Sequence, residues 1–190
     1  MFYRIAIDKL NIWSKSPTRK PLVLRGARQV GKTTLVNLFS KNFDEFISLN
    51  LDTEREKEIF ENSQSITELI ASLFFLKNVP LDATNVLIFI DEIQNSPKAV
   101  AWLRYFYEEA PQYHVIAAGS LLESLIDNQI RFPVGRISYM PVRPFSFPEF
   151  ISALNEQQSS EILKTIPVPE YSHDKLSQLF KTFALIGGMP

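Results

Sequence analysis

The segment that most restricts the fold is Gly26-Ala27-Arg28-Gln29-Val30-Gly31-Lys32-Thr33: two glycines with four residues between them, then a lysine and a hydroxyl. It stands between a brief apolar run, Pro21 to Leu24, and a stretch from Thr33 to Lys41 whose Leu35, Val36, Leu38 and Phe39 fall on one helical face. Strand, glycine loop and helix is the context in which this spacing has a mechanical meaning. Glycines let the backbone curl until successive N–H groups point inward. The first turn of the helix adds the positive end of its dipole, and the loop becomes a cradle for phosphate. Gly26, Ala27, Arg28, Gln29, Val30, Gly31, Lys32, Thr33 and Thr34 are therefore the candidate binding set. Lys32 is expected to reach the β and γ phosphates of a nucleotide, and the Thr33 hydroxyl to take one position around magnesium.

Val86-Leu87-Ile88-Phe89-Ile90 is apolar without alternation, as expected of a parallel strand covered on both faces. It delivers Asp91-Glu92 to the C-terminal edge of the sheet, where open α/β folds bind ligands. Two carboxylates suit two tasks: Asp91 would hold magnesium through water and Glu92 would polarise the attacking water. A third apolar run, Tyr113 to Ala118, ends in Gly119-Ser120. Lying between the other two strands, it would set the Ser120 hydroxyl near the γ-phosphate. The same hydroxyl can instead cap a helix at Leu121 to Ile126. Arg136, then Arg104 and Arg143, are the candidates for stabilising transition-state charge. Arg104, among Trp102, Tyr105, Phe106 and Tyr107, reads more simply as part of a solvated helix face. His114, on a buried strand, reads as a core histidine.

Further elements follow from periodicity and turn chemistry. An N-terminal helix ends at Ser16-Pro17, and a second strand spans Glu45 to Leu51. Asp52 to Glu61 is a charged stretch with no assigned element. A helix runs from Ile66 to about Leu76, with Ser65 and Glu68 forming a capping box. Pro97 opens another helix, Lys98 to Glu109. Strands alternating with helices imply an α/β sandwich. From Arg131 onward Pro133, Pro141, Pro144 and Pro148 break the chain into short pieces. A helix at Pro148 to Leu154, a polar loop at Asn155 to Glu161, a brief helix and a last helix at Ser172 to Ala184 complete the reading. The expected organisation is a core over residues 1–140 with the N-terminal helix, and a helical connector over residues 141–190.

Composition narrows the partners. Across 190 residues, 20 Lys and Arg against 21 Asp and Glu leave a net charge of -1, so no global positive field points to nucleic acid or an anionic membrane. Lys15, Arg19, Lys20, Arg25 and Arg28 form a local basic cluster near the loop, which offers a contact for DNA phosphates but reads more simply as a partly solvated surface beside the nucleotide. Zero cysteines and 2 histidines exclude disulfides, thiolate sites and the usual zinc centre, leaving oxygen ligands for any metal. No wholly apolar run exceeds five residues and the N-terminus lacks a signal-peptide core, so the expected location is cytoplasmic, with no membrane partner. An Asn-Lys-x-Asp element for guanine is absent, which disfavours a GTPase.

Arg25 through Thr34, the strand ending Asp91-Glu92-Ile93-Gln94 and the Gly119-Ser120 step together resemble the AAA-type ATPases of bacteria and archaea that carry a C-terminal domain of unknown function, the AAA family 14 ATPases. Gly135-Arg136, the segment from Pro144 to Phe150 and Gly187-Gly188-Met189-Pro190 are similar to that family's later motifs. The resemblance implies a P-loop NTPase fold, a three-layer α/β/α sandwich. Its mostly parallel five-stranded sheet inserts the strand before Gly119 between those before Gly26 and Asp91, and a short helical connector follows. It implies ATP and magnesium held by Lys32, Thr33 and Asp91, catalysis by Glu92, Ser120 beside the γ-phosphate, and Arg136 as finger or sensor. It also implies a further C-terminal domain. The expected activity is Mg-dependent ATP hydrolysis coupled to a conformational change in a partner or in that domain. The alternative is an ATP-binding switch or DNA-associated assembly module with little hydrolysis. A homo-oligomer, a protein partner and DNA are the candidate associations.

Overall fold

The computed structural model describes residues 4–119 and 132–189. Five parallel strands form one sheet: β1 (Leu22–Arg25), β2 (Glu45–Asn50), β3 (Val86–Asp91), β4 (His114–Gly119) and β5 (Ser138–Pro141), in the order β2-β3-β4-β1-β5. β4 lies between β1 and β3, the insertion implied by the resemblance, and the chain has the α/β P-loop NTPase fold.

The strands are apolar on both sides because both sides are covered. Leu22, Leu24, Leu87, Phe89, Ile116 and Ala118 pack on one face with Leu10 of α1 (Ile5–Ser14) and Leu35, Val36 and Phe39 of α2 (Lys32–Phe39). Their neighbours in sequence, Val23, Ile88, Ile90, Val115 and Ala117, face the other way. There they meet Phe60 of α3 (Glu54–Asn62), Leu69, Leu73 and Phe74 of α4 (Ile66–Lys77), and Leu103 and Phe106 of α5 (Pro97–Glu108). The period of two along each strand thus builds three layers.

Three differences from the sequence reading have local causes. Asp52 to Glu61 contains helix α3, which buries only Phe60. It is further supported by acidic residues in the first turn, the Lys77–Glu56 ion pair, a 3.0 Å hydrogen bond from Trp102 Nε1 to the Phe60 carbonyl and bonds from Ser96 and Lys98 to Glu61. The proline-broken stretch contains β5, which pairs with β1 along one side. As the sheet's edge strand it tolerates Pro141. At α4 the Ser65 hydroxyl accepts from the Glu68 N–H at 3.1 Å, but the Glu68 carboxylate accepts from the N–H of Gln64, not Ser65, so the box is shifted by one residue.

Beyond β5 lie α6 (Phe147–Ala153), α7 (Gln157–Ile162) and α8 (His173–Ile186). α7 occupies most of the stretch read as a loop. Phe147, Phe150, Phe180 and Phe183 pack α6 against α8, with ring centroids 5.2 to 5.7 Å apart. Among the described residues no helix is long and apolar enough to cross a membrane.

Candidate nucleotide site

β1 delivers the chain to the C-terminal edge of the sheet, and the loop turns at once. A Cβ on Gly26 would lie 2.3 Å from the Val142 carbonyl oxygen, so the segment leaving β5 approaches too closely for any side chain there. Gln29 (φ +63°) and Gly31 (φ +85°) take left-handed conformations that curl the loop back to α2. Val30 is fully buried beneath it and pins it to the core, whereas Ala27, Arg28, Gln29, Thr33 and Thr34 are exposed. Lys32, only 8% exposed, folds into the loop, its Nζ donating to the carbonyls of Gly26 at 2.9 Å and Ala27 at 2.8 Å. Burial lowers its pKa, while the charges of Glu92 and Asp91 act in the opposite direction and that of Arg28 adds to the lowering.

The carboxylates arrive from β3. β4 separates β3 from β1, a gap of about 10 Å at the usual strand spacing. The first turn of α2 spans it: Thr33 Oγ1 donates to Asp91 Oδ2 at 2.6 Å. The other Asp91 oxygen accepts from the Glu92 N–H at 3.0 Å. Burial raises the Asp91 pKa; the hydrogen bonds from Thr33 and Glu92 restrain the rise, the Glu92 charge adds to it and Lys32 opposes it. Glu92 leaves the strand at φ +51° and its carboxylate accepts from the Gln94 side-chain amide. A hydroxyl and a carboxylate oxygen meeting at this edge are hard donors of the kind magnesium takes, sharing its shell with water and phosphate. The residues present fit that ion.

Other candidates do not converge here. Ser120, like Arg131 and the segment from Leu121 to Ile126, lies outside the described residues. Arg136 sits at the opposite edge of the sheet. Ser138 is in register with Leu22 and Pro141 with Arg25, so the strand alone puts about 10 Å between Arg136 and the start of the loop. Its Nε donates to Glu108 at 2.6 Å, where Arg104 donates to the other carboxylate oxygen at 2.9 Å. Arg143, exposed, follows β5 at the loop's own edge. The basic cluster read along the chain is likewise divided: Lys15, Arg19 and Lys20 precede β1 at one edge, Arg25 and Arg28 end it at the other. β1 itself separates them.

Two features escaped the sequence reading. Gln94, quoted only within a motif, bonds Glu92 from two residues away. Arg4 and Glu149, 145 positions apart, form an ion pair buried against the loop. Ser146-x-x-Glu149 carried a readable signal, since it forms a complete capping box on α6. Nothing local marks Arg4.

Similarity to known proteins agrees with this fold. The solved Walker-type ATPase PABY2304 of Pyrococcus abyssi superposes over 100% of this chain and 65% of its own, with a TM-score of 0.58 and 20% identity. The ORC1 protein of Aeropyrum pernix, solved in complex with DNA, matches over 83% of this chain and 50% of its own, with a TM-score of 0.50 and 18% identity. At these identities the likeness concerns the fold. The replication factor C large subunit of Methanosphaera stadtmanae is 38% identical over 65 residues, which are 34% of this chain and 12% of that protein. The chain thus spans only part of the relatives it matches. The AAA domain model AAA_14 matches residues 18–151, from ahead of β1 through the loop, Asp91-Glu92 and β5 into α6. With that match covering most of its length and the strand order in place, the chain belongs to the AAA_14 family of AAA domains.

Proposed function

We propose that this chain binds Mg-ATP at the loop formed by residues 26–33 and hydrolyses it, using the turnover to change the conformation of a partner or of a further domain. The observation that carries the reading is the 2.6 Å bond between Thr33 and Asp91, which joins the two halves of the site across an intervening strand. The loop N–H groups and Lys32 bind the β and γ phosphates, Lys32 exchanging its bonds to Gly26 and Ala27 for phosphate oxygens. Thr33 and Asp91 would hold magnesium, which supplies charge neutralisation on the phosphates. Glu92 accepts a proton from water as its oxygen attacks the γ-phosphorus; the bond to the β–γ bridging oxygen breaks, giving ADP and phosphate. Ser120 is assigned the γ-phosphate contact on the strength of the family resemblance.

Arg136 is too far from its own chain's loop to act there, so its part in catalysis belongs at the nucleotide of a second copy. This favours a homo-oligomer in which subunits complete each other's sites. A second reading, an ATP-binding switch or DNA-associated assembly module with little intrinsic hydrolysis, is favoured by the same placement, because the separate chain lacks that arginine at its own site. The likeness to a DNA-bound ORC1 agrees with it, whereas the division of the basic residues between two edges gives no continuous track for a phosphate backbone. The deciding measurement is phosphate release per chain over a wide range of protein concentration, with Lys32→Ala as blank. A rate that climbs with concentration supports shared sites, a flat rate a self-contained one, and no rate above the blank the switch.

A further inference from the structure

A guanidinium from outside the loop touches it. Arg4, immediately before α1, is 6% exposed, and its Nη1 donates to the Val30 carbonyl at 3.2 Å. Its Nη2 donates to the Arg143 carbonyl at 2.6 Å and its Nε to Glu149 Oε1 at 3.2 Å. The guanidinium carbon lies 4.4 Å from the centre of the Phe145 ring. Glu149 is equally committed, accepting from the Ile5 N–H at 2.9 Å and from the Ser146 N–H and Oγ at 2.8 Å each. Every arm of the fork is used, and its orientation is set from three sides. Net stability is a weak explanation for such a pair, because desolvating two charges offsets most of their attraction.

The peptide it grips suggests another role. A peptide unit is planar and trans, so the Val30 carbonyl and the Gly31 N–H point in opposite directions. With the carbonyl drawn toward Arg4, the Gly31 N–H is turned the other way, and Lys32 Nζ of the same loop lies against Gly26 and Ala27. We infer that Arg4, anchored by Glu149, is a positioning residue for the phosphate cradle: it fixes the Val30–Gly31 peptide so that the Gly31 N–H is presented to the phosphate chain of the bound nucleotide. The inference rests on residues 26–33 being the triphosphate site. Its ligand chemistry is the phosphate chain, not base or sugar. The setting also depends on the segment after β5 being docked, since Arg143 and Phe145 hold the same guanidinium and the Phe145 N–H donates to the Gly188 carbonyl at 2.6 Å.

The test is calorimetric titration of the full chain and of Arg4→Lys, Glu149→Gln and Lys32→Ala with Mg-ATP, Mg-ADP and AMP. A lysine at position 4 keeps the charge beside Glu149, but its single ammonium cannot reproduce the planar fork. The expected result for Arg4→Lys is a loss of about tenfold for ATP and ADP, the scale of one charged hydrogen bond, with AMP affected far less. Glu149→Gln should shift affinity the same way by a smaller factor. In the nucleotide-free chain the Gly31 amide resonance should move in both variants. Parent-like ATP affinity in Arg4→Lys, or an equal loss for all three ligands, overturns the positioning role. Lys32→Ala separates the failures. If it binds ATP as the parent does, or if the parent itself shows no phosphate-dependent binding, both readings fall; if it loses binding while Arg4→Lys keeps it, only the role of Arg4 falls.

Discussion

On the proposed mechanism Lys32 and Glu92 act at different stages, and their substitutions should separate binding from chemistry. Lys32→Ala removes the buried ammonium and should abolish nucleotide binding, read by titration with a fluorescent ATP analogue; normal affinity would end the cradle assignment. Glu92→Gln keeps size and the contact with Gln94 but offers no carboxylate to take a proton. It should bind Mg-ATP as the parent does and release phosphate ~10² to 10⁴ times more slowly. Unchanged turnover would remove Glu92 from the mechanism. Residues of this kind were legible because their chemistry imposes a spacing along the chain. Gly26, Gly31, Lys32 and Thr33 lie in one turn, and Asp91-Glu92 end one strand. Arg4 and Glu149 were not, because a contact between positions 145 apart leaves no periodicity or spacing to find. Arg136 shows the limit from the other side. Its motif was readable, but the edge of the sheet on which it stands is set by the register of β5 against β1.

At the scale of elements, strong caps and buried runs were readable and marginal elements were not. Ser65, expected as a cap, and Ser96, which the sequence analysis does not single out, both cap helices, yet their surroundings differ. Ser96 is fully buried, accepts from the Ala99 N–H at 3.1 Å and also donates to the Glu61 carboxylate on α3. Ser65 is exposed and its hydroxyl accepts from the Glu68 N–H at the start of its own helix. Ser96→Ala should therefore cost about 2 kcal/mol and Ser65→Ala about 1 kcal/mol, measured by urea unfolding. Equal costs would show that the bond between Ser96 and Glu61 adds nothing. The same contact explains why α3 was missed. With one fully buried side chain it has almost no apolar period, and its stability comes from partners on α4 and α5 that no local window contains. β5 was missed for a related reason: four residues beside prolines form a strand only because β1 offers them a parallel partner.

Two properties belong to the whole molecule. The first is acid sensitivity. His114 is packed against Phe43 and Trp13, its Nε2 donates to the Ser14 carbonyl at 3.3 Å, and Nδ1 is buried without a partner. Burial, with the nearby Arg19 charge, pushes its pKa down to about 4 from 6.5. The unfolded chain then binds a proton that the folded one refuses, so this histidine makes stability fall as pH drops from 6.5 toward about 4. His114→Gln should flatten that part of a plot of urea midpoint against pH. An unaltered slope would assign the acid sensitivity to other groups.

The second is assembly. A parallel sheet has two edges, and this one places the phosphate loop at the first and Arg136 at the second, held by Glu108 at the end of α5. One chain cannot bring them together without unpairing β5 from β1, whereas two chains stacked edge to edge can. If the arginine acts between copies, Arg136→Ala and Lys32→Ala chains should each be inactive by themselves for different reasons: the first keeps a complete loop but lends no arginine, the second lends an arginine but binds no nucleotide. Mixed, they form interfaces in which an intact loop faces an intact Arg136. Phosphate release should then reappear at a fraction of the parent rate, rising with total protein concentration, with an arginine of this kind worth ~10³ to 10⁵ in rate. A mixture as inactive as its parts would leave Arg136 a surface residue bonded to Glu108. An Arg136→Ala chain with parent-like turnover would return the search for the charge-stabilising group to the loop's own edge, where Arg143 stands.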